Sequence, residues 1–246
     1  MNTLYRFPKS AAFGRVLPKN KIFENTTPTA ALRELFVREI EQIVWAYKLS
    51  PETTNLPSRQ GVHEIQVFTI ALKKETLKNE VLQCIDKAIP SPIFFQLTFD
   101  NKIQYVAAYK RPNEADTSKW VISDYFKSEW IKQESKQIPL PVVLDLAALY
   151  QLLMQRLIPV SIRSDEKIGE LVVRAENIRK MERDVELMTS RVHKERQFNR
   201  QVELNAQLRE LKYELEELSR LAVASINTER EINGKTENAQ SRYDCE

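Results

Sequence analysis

IFFQLTFDNKIQYVAAY, residues 93–109, alternates apolar and other side chains on both sides of a central Asp100-Asn101 pair. An alternation with a period of two residues predicts half-buried β-strands, because successive side chains in a strand point to opposite faces. Asp and Asn tolerate the backbone angles of a tight turn. The stretch therefore predicts a β-hairpin.

The segments around this hairpin predict an α+β fold. Residues 62–72 are rich in β-branched and aromatic side chains, which favours a buried strand, and residues 119–126 favour a third strand beside the hairpin. Helical spacing of apolar residues predicts helices at 25–49, 76–89 and 142–157. We therefore expect a mixed, mostly antiparallel sheet of about four strands with packed helices, followed by a long C-terminal α-helix or coiled coil.

Composition excludes several classes of protein. The chain has 246 residues, of which 42% are hydrophobic, and no apolar run approaches the roughly 20 residues of a membrane span. The first residues, MNTLYRFPKS, lack the apolar stretch of a secretory signal. Cys84 and Cys245 are too far apart in sequence to suggest a disulfide framework or a metal site. These features predict a soluble cytoplasmic protein with no membrane contact.

Charge and aromatic content divide the chain near residue 164. Residues 1–163 contain 22 Lys and Arg against 16 Asp and Glu, whereas residues 164–246 contain 15 against 18. All three tryptophans precede the division. We predict a basic extended arm at 1–24, a globular α+β domain at 25–160, a long helix or coiled coil at 164–224 and a disordered tail at 225–246.

The C-terminal segment carries leucines at helical spacing. Leu204, Leu208, Leu211, Leu215 and Leu218 follow one another at intervals of four and three residues, which places them on one side of a helix. We call these five residues the leucine seam. Such a seam requires a covering surface, so the segment predicts a protein partner or self-association.

A second apolar stripe precedes the leucine seam in a different helical phase. The first stripe includes Leu171, Ile178, Val185 and Val192, and its register is two residues out of phase with the leucine seam. The discontinuity falls at residues 193–200. With no glycine or proline there, a continuous or slightly kinked helix is favoured over a helical hairpin. The candidate partner-binding residues are Val192, Phe198, Asn199 and the leucine seam.

Motifs of catalysis are weak. The chain has four glycines and two histidines, which excludes a P-loop and a dinucleotide fingerprint. The sequence shows no metal-ligand spacing and no cofactor motif, so we expect neither a bound metal nor a cofactor. The candidate catalytic residues, Glu64, Lys73, Lys110 and Asp124, resemble the carboxylates and lysines that metal-dependent nucleases gather at a sheet edge. A solvated or ion-paired Glu64 is favoured over this interpretation.

Nucleic-acid contact has two candidate regions. The first is the basic arm, through Arg15, Lys19 and Lys21, and the second is the helix near the discontinuity, through Arg191, Arg196 and Arg200. A third group, Trp120, Tyr125 and Trp130 beside Lys119 and Lys127, mixes aromatic and basic side chains. Core packing is favoured for that group.

Four stretches resemble an uncharacterised bacterial family, domain of unknown function 4391. They are residues 17–19 (LPK), 43–49 (IVWAYKL), 64–68 (EIQVF) and 194–205 (KERQFNRQVELN). The resemblance implies a bacterial cytoplasmic protein whose gene tends to lie beside helicases and DNA methyltransferases in defence or restriction-modification loci. It supplies no catalytic residues.

Together these observations predict a non-catalytic accessory protein. It would associate with a bacterial DNA-processing or phage-defence system and bind itself or a partner, such as a helicase or DNA methyltransferase, through its C-terminal helix. A metal-dependent nuclease using Glu64 and strand-end lysines is one alternative. A nonspecific nucleic-acid-binding protein is the other.

Overall fold

The computed structural model describes residues 3–113 and 120–220. They fall into two compact units, which meet in sequence at Ile158 and Pro159. Neither Lys119, in the predicted third strand, nor the predicted tail at 225–246 lies within the described residues. In the described part of the chain, no helix is both long enough and apolar enough to span a bilayer.

The N-terminal unit alternates strands and short helices. Its described elements are β1 (Leu4–Arg6), β2 (Ala12–Val16), α1 (Lys19–Thr26), α2 (Ala30–Glu39), β3 (Ile40–Leu49), α3 (Pro51–Thr54), β4 (Ile65–Leu72), α4 (Asn79–Ala88), β5 (Ile93–Phe99), β6 (Lys102–Pro112), β7 (Trp120–Lys127), β8 (Ile131–Lys132), β9 (Gln137–Pro139) and α5 (Leu146–Leu157).

A mixed sheet of seven strands forms the centre of this unit. Its order is β2-β3-β4-β5-β6-β7, and β8 pairs with one end of β6. Among the described strands of this sheet, only β4 and β5 pair in parallel, with Gln66 beside Ile93, and α4 makes the crossover between them. The α+β class is confirmed. The expected strand count of about four is wrong, because β2, β3 and β8 also join the sheet.

The predicted hairpin is formed by β5 and β6. Asp100 and Asn101 both have positive φ, at 46° and 57°, and Phe99 pairs with Lys102 across the turn. Two consecutive left-handed residues form the turn whose twist matches that of paired strands. The Asp-Asn pair therefore sets the register of the sheet centre.

The predicted helix at 25–49 is wrong in its second half. Thr29 caps α2 by accepting a hydrogen bond from the Leu32 amide, and the helix ends at Glu39. Residues 40–49 instead form β3, between β2 and β4. Because apolar residues in IEQIVWAYKL also recur at three and four, the spacing alone did not separate helix from strand. Its β-branched and aromatic content favours the strand.

The basic arm predicted at 1–24 is also wrong, because its described residues, 3–24, are built into the unit. Strand β1 pairs in parallel with β9, and β2 pairs with β3. Tyr5 and Ile22 are buried, with 3% and 2% of their surfaces exposed. The scattered apolar residues of the segment therefore bind it to the sheet despite its basic charge.

Side chains from the two faces of the sheet make separate sets of contacts. Phe68 and Phe95 belong to a buried cluster that also contains Phe36 of α2 and Leu82 of α4. On the other face of the sheet, Tyr105 contacts Phe94 and Tyr5, and Tyr109 stacks on Tyr150 of α5. Burying each such aromatic or aliphatic side chain contributes roughly 1.5–3 kcal/mol.

Between residues 159 and 220, the described part of the C-terminal unit contains two helices, α6 (Ile168–Lys194) and α7 (Phe198–Arg220), and not one continuous helix. The break at residues 195–197 lies inside the predicted discontinuity at 193–200. The two helices pack against each other, and Gln201 donates a hydrogen bond to the carbonyl oxygen of Val192 across the break. They therefore form a helical hairpin, the alternative that the sequence disfavoured.

The apolar stripes of α6 and α7 account for the hairpin. Val192 and Leu208 are buried, and the other four members of the leucine seam are half-buried.

Near the start of α6, Arg174 donates two hydrogen bonds of 2.6 Å to the carboxylate of Glu166. This donation holds the pKa of Glu166 below its usual range.

Candidate functional site

Glu64, the leading catalytic candidate, precedes β4 and is held by three side chains. One carboxylate oxygen accepts hydrogen bonds from Gln66 at 2.5 Å and Ser91 at 2.8 Å, and the other lies 3.2 Å from the Lys48 ammonium. Burial raises the pKa of Glu64, but these three partners outweigh it and hold the pKa below its usual range. A carboxylate engaged in this way is a poor general base.

Lys73 lies at the other end of β4 from Glu64. Nine residues of extended strand separate the two Cα atoms by about 30 Å. The Lys73 ammonium donates a hydrogen bond of 2.8 Å to the carbonyl oxygen of Val37, in the last turn of α2. Glu64 and Lys73 therefore do not share a site.

Lys19, a candidate for nucleic-acid contact, caps the same helix end. Its ammonium donates to the carbonyl oxygens of Phe36 and Ile40, at 2.9 Å and 2.8 Å. Burial lowers the pKa of Lys19, and the nearby charge of Lys73 lowers it further. Cations stabilise the carbonyl end of a helix, so these two lysines have a structural role.

The other two arm candidates are exposed. Lys21 forms an ion pair of 2.8 Å with Glu24, and the Arg15 guanidinium lies over the ring of Phe13. The three candidates of the arm therefore have different environments and do not form one basic patch.

Lys110 is buried in β6 with Asp86 of α4. Its ammonium lies 3.7 Å from Asp86 Oδ1 and donates hydrogen bonds to the carbonyl oxygens of Asp86 and Ile89. Tyr125 donates a hydrogen bond to the other Asp86 oxygen, and Tyr150 accepts one from the Lys110 amide. Burial raises the pKa of Asp86 to about 6 and lowers that of Lys110.

Asp86 is the polar residue of this cluster that the sequence interpretation missed. It follows Leu82 by four residues on the apolar side of α4, where a carboxylate requires a buried partner. Trp120 lies over the Lys110 ammonium, with Nζ 5.8 Å from the ring centroid. The cluster closes the carbonyl end of α4 and has a structural function.

Asp124 is exposed on β7, whereas the next residue, Tyr125, is buried against Asp86. Trp130 packs against the buried cluster of the sheet. Within residues 3–113 and 120–220, no three His, Cys, Asp or Glu side chains are grouped closely enough to hold a metal ion. Of the four catalytic candidates, Lys110 and Asp124 lie on the neighbouring strands β6 and β7, but Lys110 is buried and Asp124 is exposed.

The tip of the helical hairpin brings the second basic group together. We define the hairpin tip as residues 191–200, where Arg191, Arg196 and Arg200 are exposed. Phe198 lies among them with 75% of its surface exposed. The carboxylate of Glu195 accepts hydrogen bonds from the Arg196 and Gln197 amides, which fixes the chain reversal.

The outer surface of the hairpin carries further apolar side chains. Leu187 of α6 is 61% exposed, and Val202 and Tyr213 of α7 are 50% and 64% exposed. Val202 and Tyr213 are eleven residues apart, which places them on the same side of α7 and outside the leucine seam. We call Leu187, Val202 and Tyr213 the outer apolar residues.

Comparison with protein families finds a match to the model described as Domain of unknown function (DUF4391), over residues 6–215. The chain belongs to the DUF4391 family. The match covers most of the chain and includes the whole sheet, the hairpin tip and most of α7. Comparisons of this DUF4391 protein with curated proteins and with solved structures found no match.

In this DUF4391 protein the predicted partner-binding residues divide into two groups. Val192 and Leu208 are buried and hold the hairpin together, with Leu204, Leu211, Leu215 and Leu218 half-buried beside them. Phe198 and Asn199 are exposed at the tip. The sequence analysis did not identify the outer apolar residues as partner-binding, because they do not form a repeat at helical spacing.

Proposed function

We propose that this DUF4391 protein is a non-catalytic accessory protein that contacts a protein partner through its helical hairpin. The observation that carries the proposal is the exposure of Val202 and Tyr213 on one side of α7 that the hairpin itself does not cover. Half or more of the surface of each residue is exposed to solvent. Contact of apolar surface with water is unfavourable, and a partner that covered these residues would remove it. The leucine seam, in contrast, already faces the inside of the hairpin.

The environment of the catalytic candidates supports a non-catalytic role. Glu64 has both carboxylate oxygens engaged, and Lys73 donates to a helix carbonyl. Lys110 is buried against Asp86. Groups with these contacts stabilise the sheet and its helices, and catalysis would require them to leave their partners.

The family suggests where such a protein acts. We propose a bacterial DNA-processing or phage-defence assembly of the restriction-modification kind, with a helicase or a DNA methyltransferase as the partner and the cytoplasm as the compartment. Self-association through the same surface is the alternative. In either case the partner would bury Val202 and Tyr213.

Light scattering of the purified protein, alone and mixed with the products of the adjacent genes, tests the proposal. We expect a complex or a dimer with the native protein and its loss with the double variant Val202→Asp, Tyr213→Asp. The matched control is Val37→Asp, because Val37 of α2 is 60% exposed in the other unit. A monomer that binds none of the products would overturn the proposal, as would equal losses in variant and control.

A further inference from the structure

The charge of the C-terminal unit is concentrated at the hairpin tip. Residues 191–200 contain four Lys and Arg against the single acid Glu195, a net charge of +3. The rest of the two helices, residues 168–190 and 201–220, contains seven Lys and Arg against ten Asp and Glu, a net charge of −3. The hairpin thus presents a basic end on an acidic shaft, which favours an anionic ligand at the tip.

Helix stability explains only part of this charge. Arg191 and Lys194 lie in the last turn of α6, where cations stabilise the helix dipole. Arg196, however, precedes α7 by two residues and Arg200 lies in its first turn, where the dipole favours acids. A carboxylate oxygen of Glu195 lies 3.5 Å from Arg200 Nε, and this single acid neutralises at most one of the two arginines. The two arginines are therefore placed against the local preference, as is expected at a binding site.

Phe198 adds an aromatic face to the same surface. It is the first residue of α7, and three quarters of its surface is exposed between Arg196 and Arg200. An exposed phenylalanine gains nothing from solvent, but it can stack on a nucleobase while neighbouring cations contact phosphates. An acidic peptide would satisfy the cations and leave the ring without a stacking partner.

From this arrangement we infer that the hairpin tip binds single-stranded nucleic acid without sequence preference. Phe198 stacks on a base, and Arg191, Lys194, Arg196 and Arg200 contact the phosphates on either side. Base faces are accessible in single strands and hidden in duplexes, which makes the single strand the preferred ligand. The inference goes beyond the accessory role, because it uses the tip and none of the outer apolar residues.

Fluorescence anisotropy with a labelled oligothymidylate tests the inference on the full chain. We expect log K to fall with log salt with a slope of about −2.8 for four phosphate contacts. The double variant Arg196→Gln, Arg200→Gln should reduce that slope to about half, and Phe198→Ala should weaken binding roughly five- to a hundredfold. Circular dichroism of each variant checks that the helices remain folded.

The matched control lies on the shaft of the same helix. Arg209→Gln with Lys212→Gln removes two exposed charges. We expect this control to bind as the native protein does. No binding at low salt, or equal losses in tip and shaft variants, would overturn the inference. Competition by polyglutamate as effective as that by oligothymidylate would assign the tip to an acidic protein instead.

Discussion

Lys110 and Asp86 form a buried ion pair between the sheet and α4. Lys110 Nζ lies 3.7 Å from Asp86 Oδ1, and the two side chains are 1% and 3% exposed. The same ammonium donates to two carbonyl oxygens at the end of the helix, so one lysine satisfies both a carboxylate and a helix terminus. The pair is consequently a structural element of the unit, although the sequence analysis made Lys110 a catalytic candidate.

Removal of the lysine charge should destabilise the protein strongly. In Lys110→Met the Asp86 carboxylate and the two carbonyl oxygens would lose their cation in the interior. We expect a loss of about 3–5 kcal/mol in the free energy of unfolding, measured by urea denaturation. Lys132→Met, at an exposed lysine on β8, should change it by less than about 0.5 kcal/mol. A loss below 1 kcal/mol for Lys110→Met would contradict a structural role.

The raised pKa of Asp86 predicts a specific pH dependence. Its pKa is about 6 in the folded protein, above its ordinary value of 3.8. Between these values the folded state binds more protons than the unfolded state, so this group's contribution to stability falls as the pH rises from about 4 to 6. Its total size is at most about 3 kcal/mol.

Denaturation of native protein and Asp86→Asn at a series of pH values measures that contribution. The difference in the free energy of unfolding, native minus variant, should decrease as the pH rises from about 4 to 6 and be constant above about 7. A difference that is flat, or that grows over this range, would show that Asp86 is not protonated more readily in the folded state.

Glu64 should be dispensable for any cleavage of DNA. Its carboxylate is engaged by Lys48, Gln66 and Ser91, and Lys73 lies at the far end of β4. Incubation of supercoiled and linear DNA with Mg²⁺ or Mn²⁺ should give the same result, no cleavage or a trace of equal rate, for native protein and Glu64→Ala. Cleavage by the native protein that Glu64→Ala abolishes would establish the nuclease alternative.

The leucine seam should stabilise the hairpin from within. Leu208 is 8% exposed, whereas Val202 on the same helix is 50% exposed. We expect Leu208→Ala to reduce the free energy of unfolding of the hairpin by about 2–5 kcal/mol, and Val202→Ala to change it by less than about 0.5 kcal/mol. Hydrogen exchange of the α6 and α7 amides gives both values. Equal protection in the two variants would place Leu208 outside the hairpin core.

The sequence pattern correctly predicted elements, such as the β5–β6 hairpin, that neighbouring residues determine by themselves. The alternation of residues 93–109 and the Asp100-Asn101 pair specify a hairpin without help from the rest of the chain. Residues 40–47 satisfy both helical and strand spacing, and their position between β2 and β4 resolves the ambiguity. The N-terminal segment similarly depends on partners far away in sequence, since β1 pairs with β9.

Among the candidate site residues, too, local pattern predicted some features, whereas others depend on contacts between residues far apart in sequence. Lys110 was recognisable in a strand, but its partner Asp86 lies 24 residues earlier on a helix, and only the packed sheet brings them together. The position of the break between α6 and α7 followed from the phase of the two apolar stripes. The reversal of direction at Glu195 did not, because no glycine or proline marks it.

The leucine seam closes within one chain, and the hairpin tip and the outer apolar residues remain exposed. Electron paramagnetic resonance can test it with spin labels at Glu182→Cys and Lys212→Cys, both exposed positions, after Cys84 and Cys245 are replaced and the labelled protein is diluted with unlabelled protein. Packed helices predict a label separation of roughly 10–30 Å. A single continuous helix would place the two positions about 45 Å apart, and that result would contradict the account.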